Sequence, residues 1–223
     1  KIEAWGNTTN RNTWIQINSD VNNFDTFGIA VLVVKNDGTL WGCGGNTYGI
    51  LGQGTTAATV SSWVQARRDA GNFVTDAKTI VTNAGTGAEA AFVITTGSKI
   101  RVAGRNTLYA LGINNVTQQN YYVEPTITQA PFQGLVKDVV LTGNLNPDNY
   151  VLTTTGEVWS AGRNANGNRG IGNITAPDAV NGLGVWKKMA YPNQVINIKG
   201  MGFDNNSYVA SSIYALDVNG NLY

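Results

Sequence analysis

Histidine is absent from this 223-residue chain. The side chain that most often serves as general base, proton shuttle and zinc ligand is therefore unavailable, and Ser-His or Cys-His nucleophile pairs are excluded within it. Cysteine is nearly as scarce. Cys43 stands alone, so no internal disulfide can form, which suits a reducing cytosol and equally an extracellular protein held together by packing. Charged residues make up 13% of the chain, against roughly 25% in an ordinary soluble domain. With 15 basic and 14 acidic residues the net charge is +1, too weak a field to steer the chain to nucleic acid or an anionic membrane. Arg67-Arg68 and Lys187-Lys188 are only pairs and read as solvated surface. No run of about 18 apolar residues is present, so no membrane span is expected; no basic-then-apolar leader is visible, and the chain starts at Lys1 rather than Met, as a processed, excised or partial sequence would.

What the chain does hold is a phrase repeated at long intervals. An apolar strand, a Gly-containing turn, a second short strand and then Gly-x-Asn run from Val31 to Asn46, from Ala91 to Asn106 and from Tyr150 to Asn164. A truncated copy closes the chain at Tyr223. Gly6, Gly44, Gly104 and Gly162 each lie four residues beyond an aliphatic, namely Ile2, Leu40, Ile100 and Val158, and Leu222 is the next such aliphatic. The steps between these aliphatics are 38, 60, 58 and 64 residues, so loops vary while a strand skeleton stays fixed. Repeats of this size bury their apolar faces only against neighbouring repeats.

β-Branched and aromatic residues dominate these segments and turn residues bound them, as strands require. Asn36-Asp37-Gly38 and Asn219-Gly220 tolerate the positive φ of a tight connection. Hairpins are thus predicted near 1–7, 29–54, 90–112, 149–172 and 212–223. A second landmark, Trp14-Ile-Gln-Ile, Trp63-Val-Gln-Ala and Trp186-Lys-Lys-Met, is read as opening the next unit, with Phe132 in the equivalent place of the third. No convincing amphipathic helix is seen; Ser62 to Ala70 has room for a helical turn or two at most. Four strands per repeat predict an all-β chain of about four propeller blades.

The best copy, Asp37-Gly-Thr-Leu-Trp-Gly-Cys-Gly-Gly-Asn-Thr-Tyr-Gly-Ile-Leu-Gly-Gln-Gly54, resembles the regulator of chromosome condensation family of β-propellers. Asn106 to Gly112 keeps the Leu111-Gly112 ending, and Asn164 to Gly170 keeps the spacing with Arg169 in place of Leu. Members of that family usually carry about seven blades, so the resemblance implies that the chain, read as a single domain over 1–223, is an arc of a longer ring; a small self-closed ring is the alternative.

For chemistry the sequence offers little. Asp37, Asp138, Asp148, Glu157 and Asp178 are scattered, with nothing to bring any two to the roughly 5 to 9 Å of a glycosidase pair. Asp37 and Asp217 sit at hairpin turns, where bonding to the local backbone accounts for them. Asp217-Val-Asn-Gly-Asn221 lacks the closing acid of a calcium loop, and Gly42 to Gly54 lacks the Lys-Ser ending of a phosphate cradle. Cys43 falls where other repeats have Trp5, Ala103 and Ala161 and reads as a small buried residue. No enzyme activity, cofactor or metal is expected.

Arg105 and Arg163 occupy the same place in successive repeats, between the Gly and the Asn. With Tyr48, Tyr109, Asn46, Asn106 and Asn164 they form a candidate anion- or sugar-binding rim, guanidinium forks and aromatic faces supplying recognition. The alternative is structural: each Arg spans to the neighbouring blade and each Asn holds its own turn. Rigid repeats presenting variable loops point to binding. Charge-poor, Asn/Thr/Gly-rich β sequence further suggests, by analogy of composition, a virion component such as a tail fibre, spike or receptor-binding protein. Its partners would be a host-surface glycan or protein, or other virion proteins in a larger assembly. Its location would be the virion or the extracellular space. The alternative is a secreted or intracellular protein-binding propeller, acting as an inhibitor, a scaffold or a GTPase regulator, with the cytoplasm as the alternative location.

Overall fold

The computed structural model describes residues 16–83, 89–142, 148–164, 166–177, 180–191, 193–204 and 209–223. The hairpin expected near 1–7, Trp14 and Asp178 lie outside them. Four strands, β1 (Val21–Phe27), β2 (Ala30–Lys35), β3 (Leu40–Gly45) and β4 (Thr59–Gln65), form an antiparallel sheet in sequential order. Next come β5 (Ala77–Thr82), β6 (Ala90–Thr95), β7 (Ile100–Gly104) and β8 (Gln119–Val123), which repeat that order. The third sheet is β9 (Val136–Thr142), β10 (Asp148–Thr153), β11 (Val158–Gly162) and the two-residue β12 (Lys187–Lys188). A final pair, β13 (Val195–Asp204) and β14 (Val209–Asp217), begins a fourth sheet, and Leu222 bridges to Leu216 where a third strand would start.

The sheets stack face to face in chain order, because both faces of each hairpin are apolar. Along β6, Ala91 and Val93 pack with Leu32, Val34, Leu40 and Leu51 of the first sheet. The alternate residues Ala90, Phe92 and Ile94 pack with Val139, Val151, Ala161 and Trp186 of the third. A third core joins Tyr150, Leu152 and Val158 to Val195, Ile198 and Ala215. A strand covered on both faces reads as an unbroken apolar run rather than an alternating one, which is why Ala90–Thr95 is buried at every position. Backbone donors of β5 are met from β1: Asn23 Oδ1 accepts from Ile80 N at 2.8 Å and Asp25 Oδ2 from Thr82 N at 2.7 Å. These are blades, each with its first strand beside the first strand of the next.

Two expectations are corrected. The Trp63 segment does not open a new unit: β4 pairs with β3, Trp41 opposite Gln65, and so closes the first sheet. The last strand of the second sheet is Gln119–Val123, ahead of Phe132, which is instead buried in the following turn against Trp159 and Trp186. As the lack of a convincing helix implied, Ser62–Gln65 is strand, and the one short helical turn among the described residues is the 3-10 turn Thr107–Tyr109.

The glycine that ends each hairpin is fixed by backbone geometry. Gly44 and Gly104 sit at φ 104° and 103°, and a Cβ there would fall 2.0 Å from Ile29 O and 2.2 Å from Glu89 O. Only glycine permits that conformation and that approach together.

Candidate binding face

Among the described residues, the turn at Gly28-Ile29 and the loops after β3, β7 and β11 emerge on one side of the stack, and the β2–β3, β6–β7 and β10–β11 turns on the other. The long loops on the first side carry the Gly-x-Asn phrase. Asn46, Asn106 and Asn164 are buried there, 0–1% exposed, and each makes the same bonds. Their Oδ1 atoms accept from the backbone N–H five residues on, of Leu51 at 2.9 Å, Leu111 at 2.9 Å and Arg169 at 3.3 Å. Their Nδ2 atoms donate across the loop to Thr55 O at 3.1 Å, Asn115 O at 2.7 Å and Asn173 O at 3.1 Å. These amides fasten the loop from beneath and do not reach its surface, so of the candidate rim the asparagines are its frame rather than its contact surface.

Tyr48, Arg105, Tyr109 and Arg163 are half-buried on this side. The Arg105 guanidinium carbon lies 5.0 Å from the centre of the Tyr48 ring in the preceding blade, a cation–π contact across the blade boundary. The charge of Arg105 also acts on Glu89: burial pushes that carboxyl up, and Arg105 opposes the shift. Tyr109 stands at φ 59° and follows Leu108 at φ 55°, a left-handed stretch uncommon for such side chains. Its ring packs so close to Gly184 of the third blade's loop that a Cβ there would fall 2.7 Å from a ring carbon. Arg163 lies near enough to the buried Asp148 to act on its charge. Of these aromatics and arginines, Tyr48 and Arg105 are the pair that meets across a blade boundary.

No protein-family model matches the sequence, and no curated protein matches it either. Solved structures do. Yeast RCC1 (Prp20), in a crystal structure with Kap60 bound, aligns over 95% of this chain with a TM-score of 0.66 at 15% identity. The fold is that of an RCC1-like β-propeller. Human WBSCR16 aligns over 86% of the chain with a TM-score of 0.61 at 11% identity. A second structure of Saccharomyces cerevisiae Prp20p, a protein described by its binding to Gsp1p and histones, aligns over 80% with 0.57 at 13%. The chain spans 41% to 44% of the length of those chains.

Within this propeller the third blade departs from its siblings in two places that face one another. Asp148 opens β10 where β2 and β6 begin with Ala30 and Ala90, each opposite the hairpin glycine. Arg169 stands where the other loops have Leu51 and Leu111. Arg169 is fully buried and donates to Leu183 O at 2.7 Å, Ser160 O at 2.9 Å and Val185 O at 2.8 Å, which straps the long 163–186 loop down. Burial lowers its pKa to about 10, against the pull of Asp148, so it remains charged at neutral pH. Burial pushes Asp148 up, and the N–H of Asn164 and the charge of Arg169 hold the rise in check. Sequence reading passed over this pair; its one signal was that both residues break the repeat.

The acids on the opposite side are tied locally. Asp37 accepts from Thr39 N at 2.9 Å and Thr39 Oγ1 at 2.7 Å, which keeps its carboxyl below the usual range. Glu157 is held down by Lys188, 2.6 Å away. Asp76 and Glu124 clamp the buried Arg101 at 2.8 and 3.1 Å. An open hollow of about 420 Å³ beside the first hairpin turn is lined by Asp20, Lys35, Asp37 and Trp41. Cys43 is half-buried rather than fully buried, and its thiol is pushed up by burial, away from the thiolate state that reactivity needs. Among the described residues, no group of three His, Cys, Asp or Glu side chains is gathered to hold a metal ion, and no helix is long and apolar enough to cross a membrane.

Proposed function

We propose that this chain is a non-enzymatic, protein-recognising arc of a larger RCC1-like propeller, a single domain over 1–223 that acts inside a cell. The observation that carries the reading is the set of long β3–β4 loops, each fastened by a buried asparagine into a fixed shape on one side of a stiff stack. A preorganised loop surface loses little freedom on binding. The carboxylates meanwhile are engaged by local donors or ion pairs, as structural groups are. Binding of Kap60, Gsp1p and histones is named for the yeast neighbour; by analogy the partner here is a protein, and regulation of a small GTPase is one form such recognition takes. The virion reading rests on composition alone, and the human and yeast neighbours lend it no support. Arg105 and Arg163, with Tyr48 and Tyr109, are the polar part of the proposed contact surface.

Cross-linking mass spectrometry on the native full-length protein in its source cells tests this. Reproducible links from loops 46–58 and 105–118 to one stoichiometric protein partner are expected. A protein that co-purifies with no partner, or one that turns over a small substrate through Asp37 or Glu157, contradicts it.

A further inference from the structure

The first and second blades differ at one repeat position on the side of the hairpin turns. Asp20 and Asp76 each stand just before the first strand of their blade, and their carbonyls accept from the turn residues Asn36 N and Thr96 N, both at 2.8 Å. Trp41 and Arg101 are equivalent too, paired opposite Val33 and Val93. In the second blade the Arg101 guanidinium lies between two acids, 2.8 Å from Asp76 Oδ2 and 3.1 Å from Glu124 Oε2, with the side chain 9% exposed. The first blade keeps the first acid, as Asp20. Ala66 stands where the second blade has Glu124, and the other carboxylate comes instead from the turn, where Asp37 replaces Gly97. The arginine itself is replaced by Trp41.

The result is the open hollow of about 420 Å³ lined by Asp20, Lys35, Asn36, Asp37, Thr39 and Trp41. The Trp41 indole N–H donates to Thr39 Oγ1 at 2.9 Å, which donates on to Asp37 Oδ1 at 2.7 Å, so ring and carboxylate are held in fixed relation. Asp20 Oδ2 accepts from Ser19 Oγ at 2.9 Å. Among the described residues the ion pairs include neither of these acids. Lys35, the cation in the wall, directs its ammonium to Asn18 Oδ1 and Ser19 O and reaches Asp37 through its charge. In the third blade Leu135 replaces the acid, and the equivalent indole of Trp159 is covered by Phe132, ring centroids 5.5 Å apart. Acid and open indole thus coincide in the first blade, where a sibling blade places a guanidinium.

We infer that the hollow at Trp41 takes an arginine side chain of a partner protein, its guanidinium stacked on the indole and bonded to Asp20 and Asp37, as Arg101 is bonded to Asp76 and Glu124. The inference rests on the protein-recognition reading for the source of the arginine, and it adds a contact point on the side away from the long loops. Tryptophan is the best aromatic partner for a cation, and carboxylates match the planar guanidinium fork, which an ammonium lacks.

The test is NMR titration of the native full-length protein with N-acetyl-arginine amide and with its neutral isostere, N-acetyl-citrulline amide. The reporters are the Trp41 indole N–H and the Thr39 amide N–H, which Asp37 accepts. Saturable shifts of both signals are expected with the arginine compound and not with citrulline. Asp20→Asn, which keeps the side chain's shape, should weaken binding several-fold, and Asp20→Asn with Asp37→Asn roughly tenfold or more. Trp41→Leu, followed at Thr39, should weaken it as well, and Asp138→Asn, outside the hollow, should leave it unchanged. Equal shifts with citrulline, no saturable shift, or unimpaired binding by the double variant overturns the inference. The upstream sequence, outside the described residues, carries Arg11; binding that appears only in Arg11→Gln would show the chain's own arginine in the hollow and overturn the external occupant. These failures leave protein recognition standing, whereas the absence of any cross-linked protein partner overturns the recognition reading itself.

Discussion

Asn106 shows how much of this molecule hangs on single polar side chains. Its amide meets the buried N–H of Leu111 and carbonyls of Asn115 and Thr117. Asn106→Ala leaves that buried donor unsatisfied and is expected to cost about 2–4 kcal/mol, read by urea unfolding; a loss below about 1 kcal/mol would mean that water replaces the amide. At Arg169 the expected outcome is non-additive. Arg169→Leu alone removes the donors of three loop carbonyls and the charge that helps hold Asp148 ionised, and should cost about 3–5 kcal/mol, while Arg169→Leu with Asp148→Ala, which restores the residues of the other blades, should recover part of that. Asp217 sets a pH dependence. Burial favours its neutral form, but hydrogen bonds from Asn221, Asn193 and Asn219 hold its carboxyl down to about 2, below the ordinary 3.8. The stabilisation is therefore complete above about pH 4 and is lost as pH falls from there through about 2. Thermal unfolding of wild type should show this acid-side loss, and Asp217→Asn should flatten it. The sequence displayed the recurrence of Asn46, Asn106 and Asn164, yet not the direction in which their amides face. A polar residue on a loop looks the same whether it serves a ligand or the loop's own backbone.

Elements were legible where composition and turn chemistry agreed. The hairpins of β2–β3, β6–β7 and β10–β11 follow from β-branched runs broken by Asp-Gly or Gly turns. The outer strands were harder, because their identity is set by pairing rather than by pattern. β8 contains Gln119, Asn120 and two tyrosines, of which only Tyr122 is buried, its hydroxyl donating to Ile50 O at 2.8 Å in the first blade. Phe132 is more hydrophobic and so drew the assignment, although it sits in a turn. Trp186 marks the joint between the second and third blades. It is 1% exposed, meets Phe92 and Phe132 edge to face with centroids 6.1 and 5.4 Å apart, and packs against Gly112. Trp186→Ala is expected to cost about 3–5 kcal/mol and to separate the unfolding of the two blades, visible as a broadened calorimetric transition. A sharp transition at the wild-type temperature would show that this joint does not couple them.

Across the whole molecule the scarcity of charge has a clear counterpart in the architecture. Blade-to-blade contact among the described residues is made mostly by apolar residues, with few charged groups such as Asp25 and Arg105, and the salt bridges found there gather on one side. Composition excluded histidine-based chemistry and a strong steering field, and the repeat conveyed the fold class. It conveyed neither which side binds nor what is bound, because both depend on how loops of unequal length are fastened. The account stands on those loops being rigid. Amide hydrogen exchange of the native protein measures it directly at Leu51, Leu111 and Arg169, whose N–H groups bond to the buried asparagines. Protection close to that of Val93 and Val151 in the central strands is predicted. Exchange at the rate of open loops would contradict a prebuilt recognition surface.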